Sequence, residues 1–552
     1  MFDRHLSVWP KSVPRQIAFP RHTLCQNLAR SAAKFADRPA IIYHGHTLTY
    51  AQLHQMVEAL AGYLQNRLNV KRGDRVLLYM QNSPQAVISY YAILRADAAV
   101  VPVNPMSQRA ELQHYATDAG ARVMLAGQEL LPHAQPLIDA GALGHVLVAN
   151  YKQLADPEYD IPLPDPLAGL DPEQINGPGI TRWSDAIDAN ERPAPAQATP
   201  EHLAVTPYSS GTTGAPKGCV HTHFSVQAVC EGGLNWNPMY PDDVSRSVLP
   251  FFHVTGMQTA MNMPIASGGV MVIMTRWNRE VAAELIKRYR VTRWRSIATM
   301  AIDLVNDDKF DSYDLSSLKA IGGGGAAMPE AIAKKLKDMT GLDYVEGYGM
   351  SETIGATHTN PVDAPKRQCL GIPMFDVDSR VINPATLDEL GPNETGEIIM
   401  AGPQIFQGYW NNPAATDEVF MHRDGKTFLR TGDLGYYDED GYFFMVDRVK
   451  RMINAAGFKV WPAEVEAMML KHPNIAEACV ISTTDPRRGE SVKAVIIPRG
   501  QVCAQDIITW CRSEMAAYKC PRVIEFVDEL PKSGSGKVLW RELQDKETAQ
   551  DP

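Results

Sequence analysis

The run from Tyr208 to Gly218, YSSGTTGAPKG, carries the strongest local sign of chemistry in the chain. Its small residues would let backbone N–H groups close on phosphate oxygens, its hydroxyls add donors, and Lys217 adds positive charge. It is not a Walker A loop, because a glycine follows Lys217 and the Gly-to-Lys spacing is wrong. Ser209, Ser210, Gly211, Thr212, Thr213 and Lys217 are therefore the candidate phosphate-binding residues. A solvated Ser/Gly linker would have the same composition, so other segments must decide. The segment from Gly322 to Met328, GGGGAAM, has so little side chain that a flat ring could approach its backbone. EGYGMSE, Glu346–Glu352, places an aromatic face, a hydroxyl and a carboxylate close together. Tyr348 could stack on a base, and Glu352 could hold Mg²⁺, which favours hard oxygen ligands and substrate phosphates. In RTGD, ending at Asp433, the carboxylate could accept two vicinal hydroxyls, as of a ribose. Taken singly, each is more often structural: Tyr348 a core aromatic, Asp433 a turn residue, the glycines a bend.

Such residues need a scaffold, and the first third of the chain supplies an alternating one. RVLLYM (Arg75–Met80) reads as a buried strand, and Ser83-Pro84 as a helix cap and first-turn proline for a helix running to about Arg95. AAVVPV (Ala98–Val103) is the next strand, a helix covers Ser107–Ala119, and RVML (Arg122–Leu125) follows. This alternation predicts α/β layers around parallel strands. Asp156–Pro200 holds nine prolines and little periodicity, which reads as a surface excursion. Beyond Val449 the pattern changes. A helix at Ala463–Leu470, strands at Glu477–Thr483 and Val492–Pro498, a helix at Asp506–Ala517 and a strand at Val523–Val527 suit a small α+β domain. The expected organisation is residues 1–449 as a large N-terminal domain and 450–552 as a small C-terminal one, with the break near Lys450.

Composition narrows the class. The 552 residues are 45% hydrophobic and 21% charged, enough to bury substantial cores across several structural units. No apolar run reaches the ~18 residues of a membrane span, and the start, MFDRHLSVWPKSVPRQ, lacks an apolar signal segment. Lys+Arg number 53 against 63 Asp+Glu, a net charge of −10 that argues against a nucleic-acid partner. The eight cysteines form no CxxC pair, as in a cytoplasmic enzyme with reduced thiols.

Together and in this order, the segments resemble the AMP-forming acyl-CoA synthetase superfamily of adenylate-forming enzymes. The resemblance covers nearly the whole chain and extends to LPFFHVTG (Leu249–Gly256), VDRVK (Val446–Lys450), GFKVWPAEVE (Gly457–Glu466) and PKSGSGK (Pro531–Lys537). It implies a large α/β domain holding ATP and a carboxylic acid, with a small C-terminal domain that rotates between two half-reactions. It also implies ATP and coenzyme A as co-substrates with Mg²⁺, the metal lying near Ser209 and Glu352. Gly325, Ala326, Ala327 and Tyr348 would flank adenine, with Glu346 and Gly347 in the same nucleotide site. Ser351 would face the α-phosphate, and Asp433 and Arg448 would hold the ribose. Lys537 matches the adenylation lysine, His253 joins it and Glu352 as a catalytic residue, and Lys450 matches the hinge. Gly457 and Lys459 would line the coenzyme A path. Some positions depart from the pattern. Ser209 and Ser351 stand where many fatty-acid members have Thr, Asn454 where some relatives have Lys, and Met257 where one type of long-chain ligase has a gating Trp.

The acid is read from the residues near His253. From Val244 to Asn278 there is no Asp or Glu, so an amino-acid substrate would find no partner for its ammonium group. Val254, Gly256, Met257 and Met261, with Ala298 and Met300, are the expected acyl lining, and methionines adapt to flexible apolar ligands. Core packing would use the same methionines. Arg293 and Arg295 could in principle pair a second carboxylate, but arginines at strand ends are read as solvated. A monocarboxylic fatty acid of medium or long chain is the expected substrate, with an aromatic acid second and delivery to a carrier protein in trans a further alternative. A homodimer and peripheral contact with a membrane stay open.

Overall fold

The computed structural model describes residues 2–209, 216–325, 327–448, 451–455, 458–485, 489–532 and 538–550. They fall into two compact units: a larger one of residues 5–378 with 401–420, and a smaller one of residues 1–4, 379–400 and 421–552.

Two sheets frame the larger unit. The first has seven strands in the order His221–Thr222, Leu203–Val205, Ala99–Pro102, Arg75–Tyr79, Val123–Gly127, His145–Ala149 and Ile180–Arg182. All but the His221–Thr222 strand run parallel. The second has nine strands, and the six from Tyr344–Met350 through Ala320–Gly324, Arg293–Ser296, Val244–Ser247 and Val270–Ile273 to Pro39–Tyr43 are parallel. Parallel strands covered on both faces read as continuous apolar runs, which is why AVV and VMVI announce themselves.

Helices fill the space between the sheets and cover their outer faces. Pro84–Arg95 is buried at every position from Pro84 to Leu94, as a helix apolar all round must be. It starts as its sequence dictates: Ser83 Oγ accepts the Ala86 N–H at 3.1 Å and Pro84 occupies the first turn. With Leu24–Lys34, Tyr50–Asn66 and the segment from Val254 to Ser267 it forms the central core, against Ile41, Leu125, Leu147 and Met271 of the two sheets. A second core lies under Arg279–Arg288, Ala298–Val305 and Glu330–Thr340, and a third under Arg109–Ala119 and Leu131–Asp139.

The proline-rich stretch differs from its reading. Within it Ile180–Arg182 adds an edge strand to the seven-stranded sheet, and Trp183–Asp188 is a helix. Trp183 is 2% exposed, its indole N–H donating to Ser89 Oγ at 3.0 Å. Three strand residues and one anchoring tryptophan are too few to show a period, so the prolines dominate the sequence signal.

In the smaller unit Asp378–Ile382, Gly396–Ala401, Lys426–Tyr437, Phe420–Arg423 and Phe443–Arg448 form a five-stranded sheet. A second sheet holds Phe458–Val460, Ile453–Ala455, Gly489–Pro498, Ile475–Asp485 and Val523–Phe526. Its core is Ile453, Val460, Val465, Ile496 and Ile507, beneath the helices Pro462–Met469 and Ala504–Glu514. These are the elements expected beyond Val449. The expected break near Lys450 falls between the two sheets, at residues outside the described set.

Candidate active site

The hydroxyl-rich segment is framed by a hairpin. Tyr208–Ser209 pairs antiparallel with Lys217–Gly218, Ser209 opposite Lys217. Ser209 Oγ donates to the Lys217 carbonyl at 3.4 Å. The hairpin is pinned from outside, Tyr208 donating its hydroxyl to Asp118 Oδ2 at 2.6 Å with its ring packed on Tyr115. Ser210, Gly211, Thr212 and Thr213 lie outside the described residues. The segment around Tyr409 runs alongside: Gln407 N–H donates to Val220 O at 2.9 Å, Val220 N–H to Gly408 O at 3.0 Å, and Trp410 N–H to Gly218 O at 2.7 Å. Gly218 has no room for a side chain, because a Cβ there would lie 2.8 Å from Thr206 Cγ2 and 3.3 Å from Trp410 Cβ.

Two neighbouring parallel strands bring in the glycine segment and the Glu352 turn. Gly322, Gly323 and Gly324 are required by the sheet itself: a Cβ on Gly323 would stand 1.8 Å from Ser296 O, and one on Gly324 2.4 Å from Gly347 O. Gly325 is different. It has φ +88° and open space around it, so close approach by a ligand is sterically free there. Ala327 is exposed, and Ala326 lies outside the described residues. Glu346 is turned inward, accepting the Met328 N–H at 2.8 Å and so tying down the far end of the glycine segment. Burial raises its carboxyl pKa, against several backbone hydrogen bonds that lower it. Tyr348 is half-buried, its ring 5.7 Å from that of His358.

Ser351–Thr353 is a tight turn, and it closes on a strained residue. Ile354 has φ +49°, a left-handed conformation that a β-branched residue adopts only when its surroundings impose it. Its side chain is fully buried in the central core, and its carbonyl accepts from Gln258 Nε2 at 3.2 Å. The packing holds the turn that carries Glu352.

The hairpin and this turn converge on one another. Tyr409 donates its hydroxyl to Glu352 Oε1 at 2.8 Å, while the Lys217 ammonium lies 5.0 Å from the centre of the Tyr409 ring. Phe406 N–H donates to the Glu352 carbonyl at 2.9 Å. His221 Nε2 sits 2.7 Å from the Ser351 carbonyl, and that bond puts a proton on this nitrogen. Burial pushes the His221 imidazole down to about 4, so it is neutral near pH 7. Burial and the Glu352 charge together push the Tyr409 hydroxyl up, keeping it a donor. Ser209, Lys217, Ser351 and Glu352, all named from sequence, thus share one cluster. Tyr409, Phe406 and His221 complete it and were not named. Tyr409 meets Glu352 from 57 positions away, and an aromatic after a glycine carries no local mark of that role.

The His253 segment forms a continuous helical run. His253 is exposed, and its Nδ1 accepts the Thr255 N–H at 3.3 Å as a helix cap. Gly256 is forced by backbone crowding, a Cβ there lying 2.1 Å from Pro250 O. Met257–Asn262 is a π-helical turn, a form frequent at functional sites. Val254, Met257 and Met261 are 3%, 0% and 1% exposed and pack into the central core, while Met300 is half-buried against the second core. Arg293 is paired, with Asp243 Oδ2 at 3.0 Å and Asn237 Oδ1 at 2.6 Å. Arg295 is half-buried.

In the smaller unit Asp433 and Arg448 are cross-strand partners, Arg448 Nε lying 3.0 Å from Asp433 Oδ1. The turn before Asp433 is built by Glu397, which accepts the Gly432 N–H at 3.1 Å and pairs Arg430 at 2.6 Å. Lys450, Gly457 and Lys537 lie outside the described residues, as does the side chain of Lys459.

Residues 28–410 match the AMP-binding enzyme family, and residues 464–537 match the AMP-binding enzyme C-terminal domain. A long-chain-fatty-acid–CoA ligase of Bacillus subtilis (strain 168) is 34% identical over 558 residues, covering 98% of this chain and 98% of the relative. Among solved structures, ATP-bound MatB from Rhodopseudomonas palustris has a TM-score of 0.82 at 26% identity, covering 96% of this chain and 99% of that one. An anthranilate CoA ligase in complex with anthranoyl-AMP has a TM-score of 0.81 at 25% identity, covering 97% and 98%.

Proposed function

The chain belongs to the AMP-binding enzyme family, and from that premise we propose that it joins a carboxylic acid to coenzyme A through an acyl-adenylate, releasing AMP and pyrophosphate. The observation that carries this reading is the end-to-end likeness to a long-chain-fatty-acid–CoA ligase, 98% of each chain at 34% identity. The acid is a fatty acid of medium or long chain. The absence of Asp and Glu between Val244 and Asn278 supports an aliphatic substrate over an amino acid. An aromatic acid is the second reading, favoured by the likeness to the anthranilate CoA ligase.

In the first half-reaction a carboxylate oxygen attacks the α-phosphorus of ATP and pyrophosphate leaves. No proton need move, so the chain's tasks are positioning and charge neutralisation. Lys217 and the Ser209 hairpin serve the phosphates, and Lys537 the acid carboxylate and the phosphate. His221 and Tyr409 hold the Ser351–Glu352 turn in place. No group of three metal-ligating side chains exists among the described residues. A buried carboxylate beside a phosphate-binding hairpin nonetheless fits Mg²⁺, which takes one or two carboxylates and completes its shell with substrate phosphates and water. Glu352 and the Ser209 hydroxyl would hold it, and it would supply neutralisation of phosphate charge. In the second half-reaction the coenzyme A thiolate attacks the acyl carbon and AMP leaves. The mixed anhydride is activated already, and a thiol of pKa ~8.5 supplies some thiolate near neutral pH, so no strong base is required. Asp433 and Arg448 serve the ribose, and Gly457 and Lys459 the coenzyme A path. A cytoplasmic site suits the eight cysteines, none of them disulfide-bonded.

The test is loss of free coenzyme A thiol with ATP and a panel of acids, from acetate through palmitate to cinnamates. Thiol loss that needs both ATP and an aliphatic acid is expected. Thiol loss with cinnamates alone would favour the aromatic reading, and none with any acid would refute the ligase.

A further inference from the structure

Arg295 is a charged side chain in an unusual position. It lies near the carboxyl end of Arg293–Ser296, an interior strand of the nine-stranded sheet, where open α/β sheets bind ligands. Register fixes its face. Arg293 pairs with Ser245, so Arg295 shares the face of Ser245 and Ser247, and Ser247 Oγ donates to Ala260 O of the π-helical turn at 2.7 Å. On this face Arg295 is opposite Gly322, and Gly322 opposite Val345. Nη1 stands 2.6 Å from where a Cβ on Gly322 would be, so the guanidinium lies across a floor with no side chain. Gly322 itself is buried, while Gly324 and Gly347, further along this face, are half-buried, so this end of the face is partly open to solvent.

The guanidinium has no acceptor among the described residues. Among them no hydrogen bond or ion pair joins Arg295 to another side chain or to the backbone. The Asp243 carboxylate, just before the neighbouring strand Val244–Ser247, is taken by Arg293 at 3.0 Å, Thr292 Oγ1 at 2.8 Å and the Tyr240 N–H at 2.9 Å. Glu346 points to the opposite face and accepts the Met328 N–H at 2.8 Å. Loss of water, with Arg293 beside it, pushes the Arg295 guanidinium down to about 10. It therefore stays charged near neutral pH while lacking a counter-charge. A plain alkyl chain laid against it would strip its remaining water and return nothing. A carboxylate would return two parallel charge-assisted hydrogen bonds.

We infer that Arg295 receives a second carboxylate, borne by the acyl part of the acid, and that among aliphatic acids of medium or long chain those with a second carboxylate are preferred. This rests on the acid–CoA ligase reading and narrows its acid. Thioester formation is measured for matched pairs of aliphatic mono- and dicarboxylic acids of equal length, with the parent, Arg295→Met and Arg295→Lys. The parent is expected to favour one or more diacids by at least tenfold in kcat/KM. Arg295→Met should lose roughly a hundredfold on those diacids, hold or gain activity on the monoacids, and melt no lower than the parent. Arg295→Lys should keep part of the diacid preference. A parent without diacid preference overturns the inference, as does an Arg295→Met enzyme damaged equally on both classes. Activity on no acid of either class would instead overturn the ligase reading itself.

Discussion

The Tyr409 hydroxyl is one atom whose removal can be made almost without disturbing its neighbours. Tyr409→Phe keeps the ring beneath Lys217 and its edge contact with Phe406, and removes only the bond to Glu352. Groups that orient a metal-ligating carboxylate typically contribute 10–100-fold in metal affinity or activity, so about that rise in the half-activating Mg²⁺ concentration for acid-dependent pyrophosphate exchange is expected. Turnover at saturating Mg²⁺ should stay near that of the parent. An unchanged Mg²⁺ dependence would reduce Tyr409 to packing. His221 gives a pH signature. Its folded-state pKa, about 4, lies below the ordinary value of 6.5, so the unfolded chain takes up its proton first as pH falls. Its contribution is whole above about pH 6.5 and lost towards pH 4, at about 1.4 kcal/mol per unit. Urea unfolding of the parent and His221→Gln should therefore converge by that slope over this window. Parallel curves would contradict the buried neutral imidazole. At this scale the sequence marked residues that stand in a motif, such as Lys217, Ser351 and Glu352, and the fold brings these together. The sequence hid Tyr409 and His221, whose roles are made by contacts between distant segments. Arg295 was visible as an arginine at a strand end, but the face it shares and its lack of a partner among the described residues are properties of the folded sheet.

At the scale of elements, the π-helical turn Met257–Asn262 joins the His253 segment to the central core. Gln258 links it to two other elements, donating to Val226 O at 3.3 Å and Ile354 O at 3.2 Å. Met257 is fully buried there, so Met257→Trp should cost ~1–3 kcal/mol of stability through overpacking. If Met257 also lines the acyl path, the variant should shift preference towards shorter chains in a thioester assay. A lowered melting point with an unchanged chain-length profile would leave it a core residue only. Long elements with strong signals were legible: the Pro84–Arg95 helix starts as its Ser83 cap and Pro84 dictate and runs to Arg95 as read. The Ile180–Arg182 strand and Trp183–Asp188 helix were not, because tertiary pairing and not local pattern makes them. The glycines at 322–324 were legible as a close approach, but what approaches is the neighbouring backbone.

At the scale of the molecule, the α/β layers followed from strand–helix alternation, and the small C-terminal sheet from the change of pattern after Val449. The proposed hinge at Lys450 rests on family resemblance, and its test is kinetic. The two half-reactions would use different orientations of the C-terminal region, and a backbone rotation needs free φ, which proline fixes near −65°. Lys450→Pro should keep acid-dependent pyrophosphate exchange while thioester formation falls by orders of magnitude, and Lys450→Ala should retain far more thioester formation. Equal defects in both variants would assign the effect to the side chain. The central claim, that acid and ATP pass through an acyl-adenylate, is tested most directly by supplying acid labelled with ¹⁸O in its carboxylate, with ATP, Mg²⁺ and coenzyme A. Attack of the carboxylate on the α-phosphorus, followed by thiolysis at the acyl carbon, leaves one labelled oxygen on AMP and none on pyrophosphate. ADP as the product, with the label in inorganic phosphate, would contradict it.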